Sequence, residues 1–163
     1  MPKISAIARY PAKGQAGEIL TEALLREGTG MEGDFHADGG DRQISLFSGE
    51  GRQWMETFKT ENAGQEGLCF TKFRENITIQ GLPLQTLRAG MRLVVEAPFA
   101  AASIATGAEV LLEITGEAKL CHDECPLFSA GRACRLAGQS LFAKVLHGGV
   151  VRTGDTIIIK ENF

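Results

Sequence analysis

Three of the chain's four cysteines and one of its three histidines fall in a single stretch, "EAKLCHDECPLFSAGRAC", from Glu117 to Cys134. Three chemistries suit such a cluster. A structural zinc site needs four ligands, with two to four residues between paired cysteines. Cys121 and Cys125 have three between them, and His122 and Cys134 complete a set. Against it, Cys121 and His122 are adjacent and would point to opposite faces of an extended chain, and no second paired motif exists. A redox pair is the second option. Pro126 biases Cys125 towards an extended conformation. A tight turn over 121–125 would still bring the Cα atoms within the roughly 7 Å a disulfide needs. Cys125 would then be a resolving thiol for an oxidised or persulfidated Cys121. The third option is one reactive thiol. Lys119 shares a face with Cys121 in an extended chain, and its ammonium, with His122, favours the thiolate. Sulfur transfer and soft-metal ligation both require that form. A cysteine flanked by Lys, His, Asp and Glu is poorly placed for the bland role of core packing, whereas Cys69 and Cys134 suit it. Cys121 is the expected working sulfur.

A second chemical stretch is "GTGMEGDFHADGGDRQISLF", residues 28–47. Asp34 and His36 are two apart and share a face if extended, and Arg42 could present a fork to a phosphate or carboxylate. The plainer reading has Asp34 and His36 satisfying turn backbone, with Arg42 solvated.

The elements that must position these groups are mostly strands. Period-two or continuous apolar runs occur in "KISAIA", "RQISLF", "RENITIQG", "MRLVVEA", "EVLLEIT" and "DTIIIKE", and such runs read as half-buried or buried strands. The first puts Ile4, Ala6 and Ala8 on one face. Many short strands punctuated by Gly turns, with 20 glycines against five prolines, favour a sandwich or barrel. Two segments read as helices packed across barrel openings. One lies near 49–59, with Ser48 as N-cap and Trp54, Met55 and Phe58 on one face. The other lies near 140–146, with Ser140 as cap, Leu141, Phe142, Val145 and Leu146 on one face, and Gly148–Gly149 as the stop. Residues 64–73 read as loop. "LRAGMRLVV" and "VRTGDTIII" echo one another as equivalent turn-into-strand corners.

Composition bounds the rest. At 163 residues one domain, 1–163, can bury its own core. A net charge of -3 gives no reason to expect nucleic acid or an anionic membrane as partner. The start lacks a signal peptide's apolar region, and no run approaches membrane-spanning length. The expected location is cytoplasmic, with reduced thiols.

Four segments in order, "GMEGDFHADGGDRQISL", "RENITIQGLPLQTLRAGMRLVV", "KLCHDECPLF" and "LFAKVLHGGVVRTGDTI", resemble the MOSC domain family, found at the C-terminus of molybdenum cofactor sulfurases. The likeness runs from about Lys3 to Ile159 and is to the small stand-alone bacterial type, some members of which carry Lys-x-Cys-His-x-x-x-Cys or a near variant, as Lys119-Leu120-Cys121-His122-Asp123-Glu124-Cys125 is here. It implies a mainly β fold, a closed or nearly closed barrel of the pyruvate-kinase-like kind with a few short helices. It also implies that Cys121 carries a persulfide or ligates molybdenum, with Asp34, His36, Arg42, Lys119 and His122 lining the pocket. A pterin cofactor's phosphate would give Arg42 and Lys119 a task. Molybdenum cofactor, a cysteine desulfurase and a molybdenum cofactor enzyme are the implied cofactor and partners, and a sulfur-transferase-like activity is the candidate if the chain is an enzyme. The family's association with pyridoxal phosphate belongs to a separate domain, and this chain shows no site for it. The alternative is a non-catalytic zinc or heavy-metal module built on the 121–134 cluster. The chain departs from the usual pattern at Phe73-Arg74-Glu75-Asn76, where the family has Phe-Gly-Glu-Asn, and at Gly90-Met91, where it often has Gly-Asp.

Overall fold

A computed structural model describes residues 1–64, 66–67, 69–70, 74–97, 109–117, 124–129, 134–136 and 138–161. Eleven strands appear among them: β1 (Lys3–Arg9), β2 (Glu18–Leu20), β3 (Glu22–Arg26), β4 (Gly30–Met31), β5 (Ile44–Ser48), β6 (Ile77–Gln80), β7 (Arg92–Glu96), β8 (Val110–Glu117), β9 (Ser140–His147), β10 (Gly149–Arg152) and β11 (Thr156–Lys160). Helix α1 spans Gly49–Glu61, a 3-10 turn Leu84–Thr86, and a single helical turn, α2, Pro126–Ser129.

Seven strands close into a barrel. Their order is β11-β7-β8-β9-β5-β6-β1, and β11 returns to β1 at Lys3↔Thr156. The second half of β1 leaves that seam and pairs with β2 through Ile7, Ala8 and Arg9. β10, β3 and β4 form a separate small sheet. Every barrel pairing is antiparallel except β5 with β6. A parallel neighbour needs a crossover, and α1 lies in that connection. The barrel is filled by one apolar cluster that includes Ile4, Ile7, Ile44, Leu46, Ile77, Ile79, Leu93, Leu112, Leu141, Val145 and Ile157, each worth about 1.5–3 kcal/mol when fully buried.

All six sequence-expected strands are present. One alternation breaks. In β1, Ile4 and Ile7 are both fully buried and Ala6 is not, because the register against β6 shifts between Ile4 and Ala6. A bulge of this kind re-aims the following side chains. The echoed segments supply β7 and β11, which pair with each other from Thr156↔Glu96 to Lys160↔Arg92. Each is entered through a positive-φ glycine, Gly90 (φ 91) or Gly154 (φ 98), a conformation that costs glycine nothing.

The helix expected near 49–59 is α1. The Ser48 hydroxyl accepts from the Gly51 amide at 3.0 Å, as an N-cap should. The helix covers the outer wall of the barrel rather than an opening. In β5, Ile44 and Leu46 belong to the interior, while Phe47 on the opposite face joins Met55 of α1, Phe70, Leu127 and Leu136 in a second cluster. Trp54, Phe58 and Phe70 pack there ring to ring, with centroids 5.1 to 5.9 Å apart.

The helix expected near 140–146 is instead β9, the central strand between β8 and β5. Leu141, Ala143 and Val145 are buried in alternation, and Phe142 and Leu146 are only half-buried. β5 pairs with Ser140–Ala143 and β8 with Leu141–His147, and these ladder bonds decide against local helical bonding. Gly148 stops no helix. A Cβ there would sit 2.5 Å from the Leu25 carbonyl oxygen, so glycine is what lets the chain turn from β9 into β10 beside β3. No helix among the described residues is long and apolar enough to cross a membrane.

The corner between β10 and β11 carries a test. Asp155 is buried, and its Oδ2 accepts from the Arg152 amide at 2.7 Å. Burial raises its pKa, outweighing that hydrogen bond and the nearby Arg152 charge. A carboxyl raised in the fold binds its proton more tightly there than in the unfolded chain. Its ionised form therefore costs stability above the folded value, and the cost disappears as pH falls through that value. Asp155→Asn keeps an acceptor oxygen without the charge. It should raise the melting temperature by a few degrees at about pH 7, with the gain shrinking by about pH 4. Thermal unfolding at both pH values checks this, and a variant less stable at neutral pH would contradict it.

Candidate functional site

The parallel strands β5 and β6 begin at the same end of the barrel, and the polar residues that precede them gather there. Asn76, just before β6, stitches three segments together. Its Oδ1 accepts from the Ser45 amide at 3.0 Å, its Nδ2 donates to the Ala8 carbonyl at 3.3 Å and to Asp34 Oδ2 at 2.9 Å. Asp34 sits in the turn after β4 with its side chain wholly buried. Its Oδ2 also accepts from the Tyr10 amide at 2.9 Å, and its Oδ1 from the His36 amide at 3.0 Å. Asp34 and His36 therefore do share a site, and the plainer sequence reading also holds, since Asp34 satisfies turn backbone. The His36 Nδ1 lies 3.4 Å from Asp34 Oδ1, with the imidazole 35% exposed and its ring 3.7 Å from that of Phe35.

Tyr10 extends the group. Arg74 lies over its ring, 5.7 Å from the centroid, and donates to the Gln15 carbonyl at 2.6 Å. A Cβ on Gly17 would meet the Tyr10 ring at 2.6 Å, so the phenol is pinned between that glycine and a guanidinium. Burial pushes the phenol pKa up, against the opposing pull of Arg52 and Arg74, and the Asp34 charge adds to the rise. Tyr10 is thus a protonated hydroxyl at neutral pH. Arg52 of α1 pairs with Glu75 and stacks over Phe47 at 5.3 Å. Phe47 belongs to the cluster against which Cys69, Cys125 and Cys134 pack. A continuous path of contacts thus runs from His36 through Asp34, Asn76 and the adjoining Glu75–Arg52 pair to the apolar cluster that holds Cys125.

Arg42 stands apart. Its guanidinium lies over the Phe142 ring of β9 at 5.1 Å, and among the described residues no hydrogen bond or ion pair joins it to Asp34 or His36. Lys119, Cys121 and His122 fall outside the described residues, and so does the expected convergence of Asp34, His36, Arg42 and Lys119 on Cys121; the described residues bring together Asp34 and His36 alone of that set. Cys69 and Cys134, expected to be packing residues, are half-buried against the second apolar cluster, and so is Cys125. Among the described residues no group of three or more His, Cys, Asp or Glu side chains is placed to hold a metal ion. Two of the four ligands in the zinc reading, Cys121 and His122, lie outside those residues.

Sequence reasoning did not select Tyr10, Arg52, Glu75 or Asn76 as site residues. The available signal was the polar triplet Arg74-Glu75-Asn76 directly ahead of an apolar strand, a place where side chains face a barrel end.

The chain matches the model of the MOSC domain over residues 32–158. A search of curated proteins finds no match. Among solved structures, the YuaD protein from Bacillus subtilis superposes with a TM-score of 0.64 at 19% identity, covering 96% of this chain and 94% of that one. YiiM from Geobacillus stearothermophilus gives 0.60 at 16% identity, with 99% and 76% coverage. YiiM from Escherichia coli gives 0.56 at 14%, with 99% and 71% coverage. At these identities the structures testify to the barrel.

Proposed function

The chain belongs to the MOSC domain family, and from that premise we propose that it handles sulfur or the molybdenum cofactor through Cys121, as a persulfide carrier or as a metal ligand. The supporting observation is that the family match spans both chemical stretches, the Asp34–His36 turn and the "KLCHDEC" run. Lys119 favours the thiolate of Cys121, and His122 lies next to it. The reaction belongs to a reducing, cytoplasmic setting, with a cysteine desulfurase as donor and a molybdenum cofactor enzyme as acceptor.

The donor chemistry present fits the cofactor. A soft sulfur ligand suits molybdenum, and Arg74, which no carboxylate pairs among the described residues, has guanidinium donors for a phosphate. When bound, the cofactor supplies redox chemistry at the metal. Cys121 would ligate it, Arg74 would anchor its anionic end, and the Tyr10 hydroxyl would donate a hydrogen bond.

The test is intact mass after incubation with a cysteine desulfurase and L-cysteine. The chain should gain the mass of one sulfur atom and lose it to a thiol reductant. An unchanged mass would overturn the persulfide carrier.

One observation favours a second reading, a zinc or heavy-metal module. Cys125 and Cys134, two of its four ligands, pack against the same apolar cluster. Metal analysis of protein purified without chelator decides it. One tightly held zinc per chain, lost on Cys134→Ser, supports the module, and none removes it.

A further inference from the structure

The geometry points to His36 as a proton-handling residue, held by Asp34 with its hydrogen on Nδ1 and its Nε2 lone pair left for a ligand, and to a small thiol as that ligand. Asp34 has a wholly buried side chain and already accepts from the Tyr10 amide, the Asn76 amide group and the His36 amide. An ionised carboxylate accepts only and has about four lone-pair sites, so Oδ1 retains capacity on the side facing His36 Nδ1, 3.4 Å away. A nitrogen that faces a carboxylate carries the hydrogen, which makes the other ring nitrogen the acceptor. The 3.4 Å separation is longer than a formed hydrogen bond, and contacts of this kind that are long in the ligand-free protein tighten once the ligand is bound.

The exposure of the pair is divided in the way a relay needs. The carboxylate is sealed while the imidazole is 35% exposed, and among the described residues nothing engages Nε2. His147, at the exposed end of β9, has no such carboxylate among the described residues. Asp34 and Asn76 are positioning residues, since neither reaches the ligand.

The step balances without a further reactant. The ligand's S–H bond breaks, sulfur keeps the electron pair as thiolate, and the proton forms a bond to Nε2. The resulting imidazolium is offset by the Asp34 carboxylate, and the proton later returns to sulfur or to water. A thiol is chosen because its ordinary pKa lies only about two units above that of imidazole, near enough for transfer. An alcohol's is far higher. The thiol identity rests on the sulfur-handling reading, whereas the hydrogen on Nδ1 does not.

Long-range nitrogen–proton correlation spectra of the full chain test both parts. At neutral pH the His36 ring should show a hydrogen on Nδ1 and a bare Nε2. Asp34→Asn should abolish that preference, as the same change does in other His–Asp pairs. A hydrogen on Nε2 in the wild type, or a tautomer unchanged in a folded Asp34→Asn, would overturn the assignment. The wild-type spectrum decides even if the variant fails to fold. The ligand is tested on Cys121→Ser, so that failure of the persulfide reading cannot be confused with it. L-cysteine should shift the Nε2 resonance, and L-serine at equal concentration should not. Equal responses to both, or none to cysteine, would sink the thiol.

Discussion

Asn76→Ala is expected to lower the stability of the fold by about 3 kcal/mol, the range for removing one partner from a buried charged group. Four bonds go at once, the weakest of them from the Ser45 hydroxyl to Oδ1 at 3.4 Å. The Ser45 amide loses its acceptor at 3.0 Å, the Ala8 carbonyl loses a donor at 3.3 Å, and Asp34 loses a donor at 2.9 Å. The last matters most. Asp34 is a carboxylate with its side chain wholly buried, and water cannot replace what the alanine removes. The two amides that remain, from Tyr10 and His36, hold it only in part. An alternative view makes Asn76 ordinary strand-end polarity, worth about 1 kcal/mol. Asn76→Asp discriminates, because it keeps the size and the acceptor for Ser45 but sets a second carboxylate against Asp34. It should destabilise at least as much as alanine does. Urea unfolding with an unchanged slope is the measurement. A loss well under 1 kcal/mol for Asn76→Ala, or a milder Asn76→Asp, would deny Asn76 its place at the hub.

That hub shows where sequence reading reached and where it stopped. Asp34 and His36 were visible because they are two residues apart and their chemistry is local. Their partners were not, because Tyr10 comes 24 positions before Asp34 and Asn76 comes 42 after it. The barrel brings them together by pairing β1 with β6, and no periodicity within either strand announces which end carries the polar ligature. The barrel class itself was legible, because runs such as Thr156–Lys160 and Arg92–Glu96 are β-branched or apolar over lengths too short for a helix. β9 was misread for a definite reason. Leu141, Phe142, Val145 and Leu146 satisfy helical spacing, while Leu141, Ala143 and Val145 satisfy strand spacing. The choice was made by β5 and β8 on either side, which are tertiary facts. β2, at three residues, and β4, at two, are too short to carry a pattern. The MOSC resemblance was readable only as an order of motifs.

The second large effect concerns sulfur. Cys121→Ser should abolish persulfide formation outright, while serine at Cys69, Cys125 or Cys134 should leave it within about threefold. The argument runs by contrast of surroundings. Cys69, Cys125 and Cys134 are half-buried against Phe47, Met55, Phe70, Leu127 and Leu136, and apolar burial disfavours the thiolate. Cys121 stands two residues from Lys119 in "AKLCHDE", with His122, Asp123 and Glu124 directly after it. A nearby ammonium favours the charged form of a thiol, whereas Asp123 and Glu124 oppose it. Exposed charges are screened within about 10 Å at ordinary ionic strength, so the nearer, less solvated partner dominates. In an extended run that partner is Lys119, on the same face as Cys121. Lys119→Ala should then slow alkylation of Cys121 near neutral pH several-fold without abolishing persulfide formation. Mass-resolved iodoacetamide labelling across pH, on wild type and each variant, reads both effects. If Cys121→Ser still gains a sulfur, or all four thiols alkylate at one rate, the working sulfur lies elsewhere.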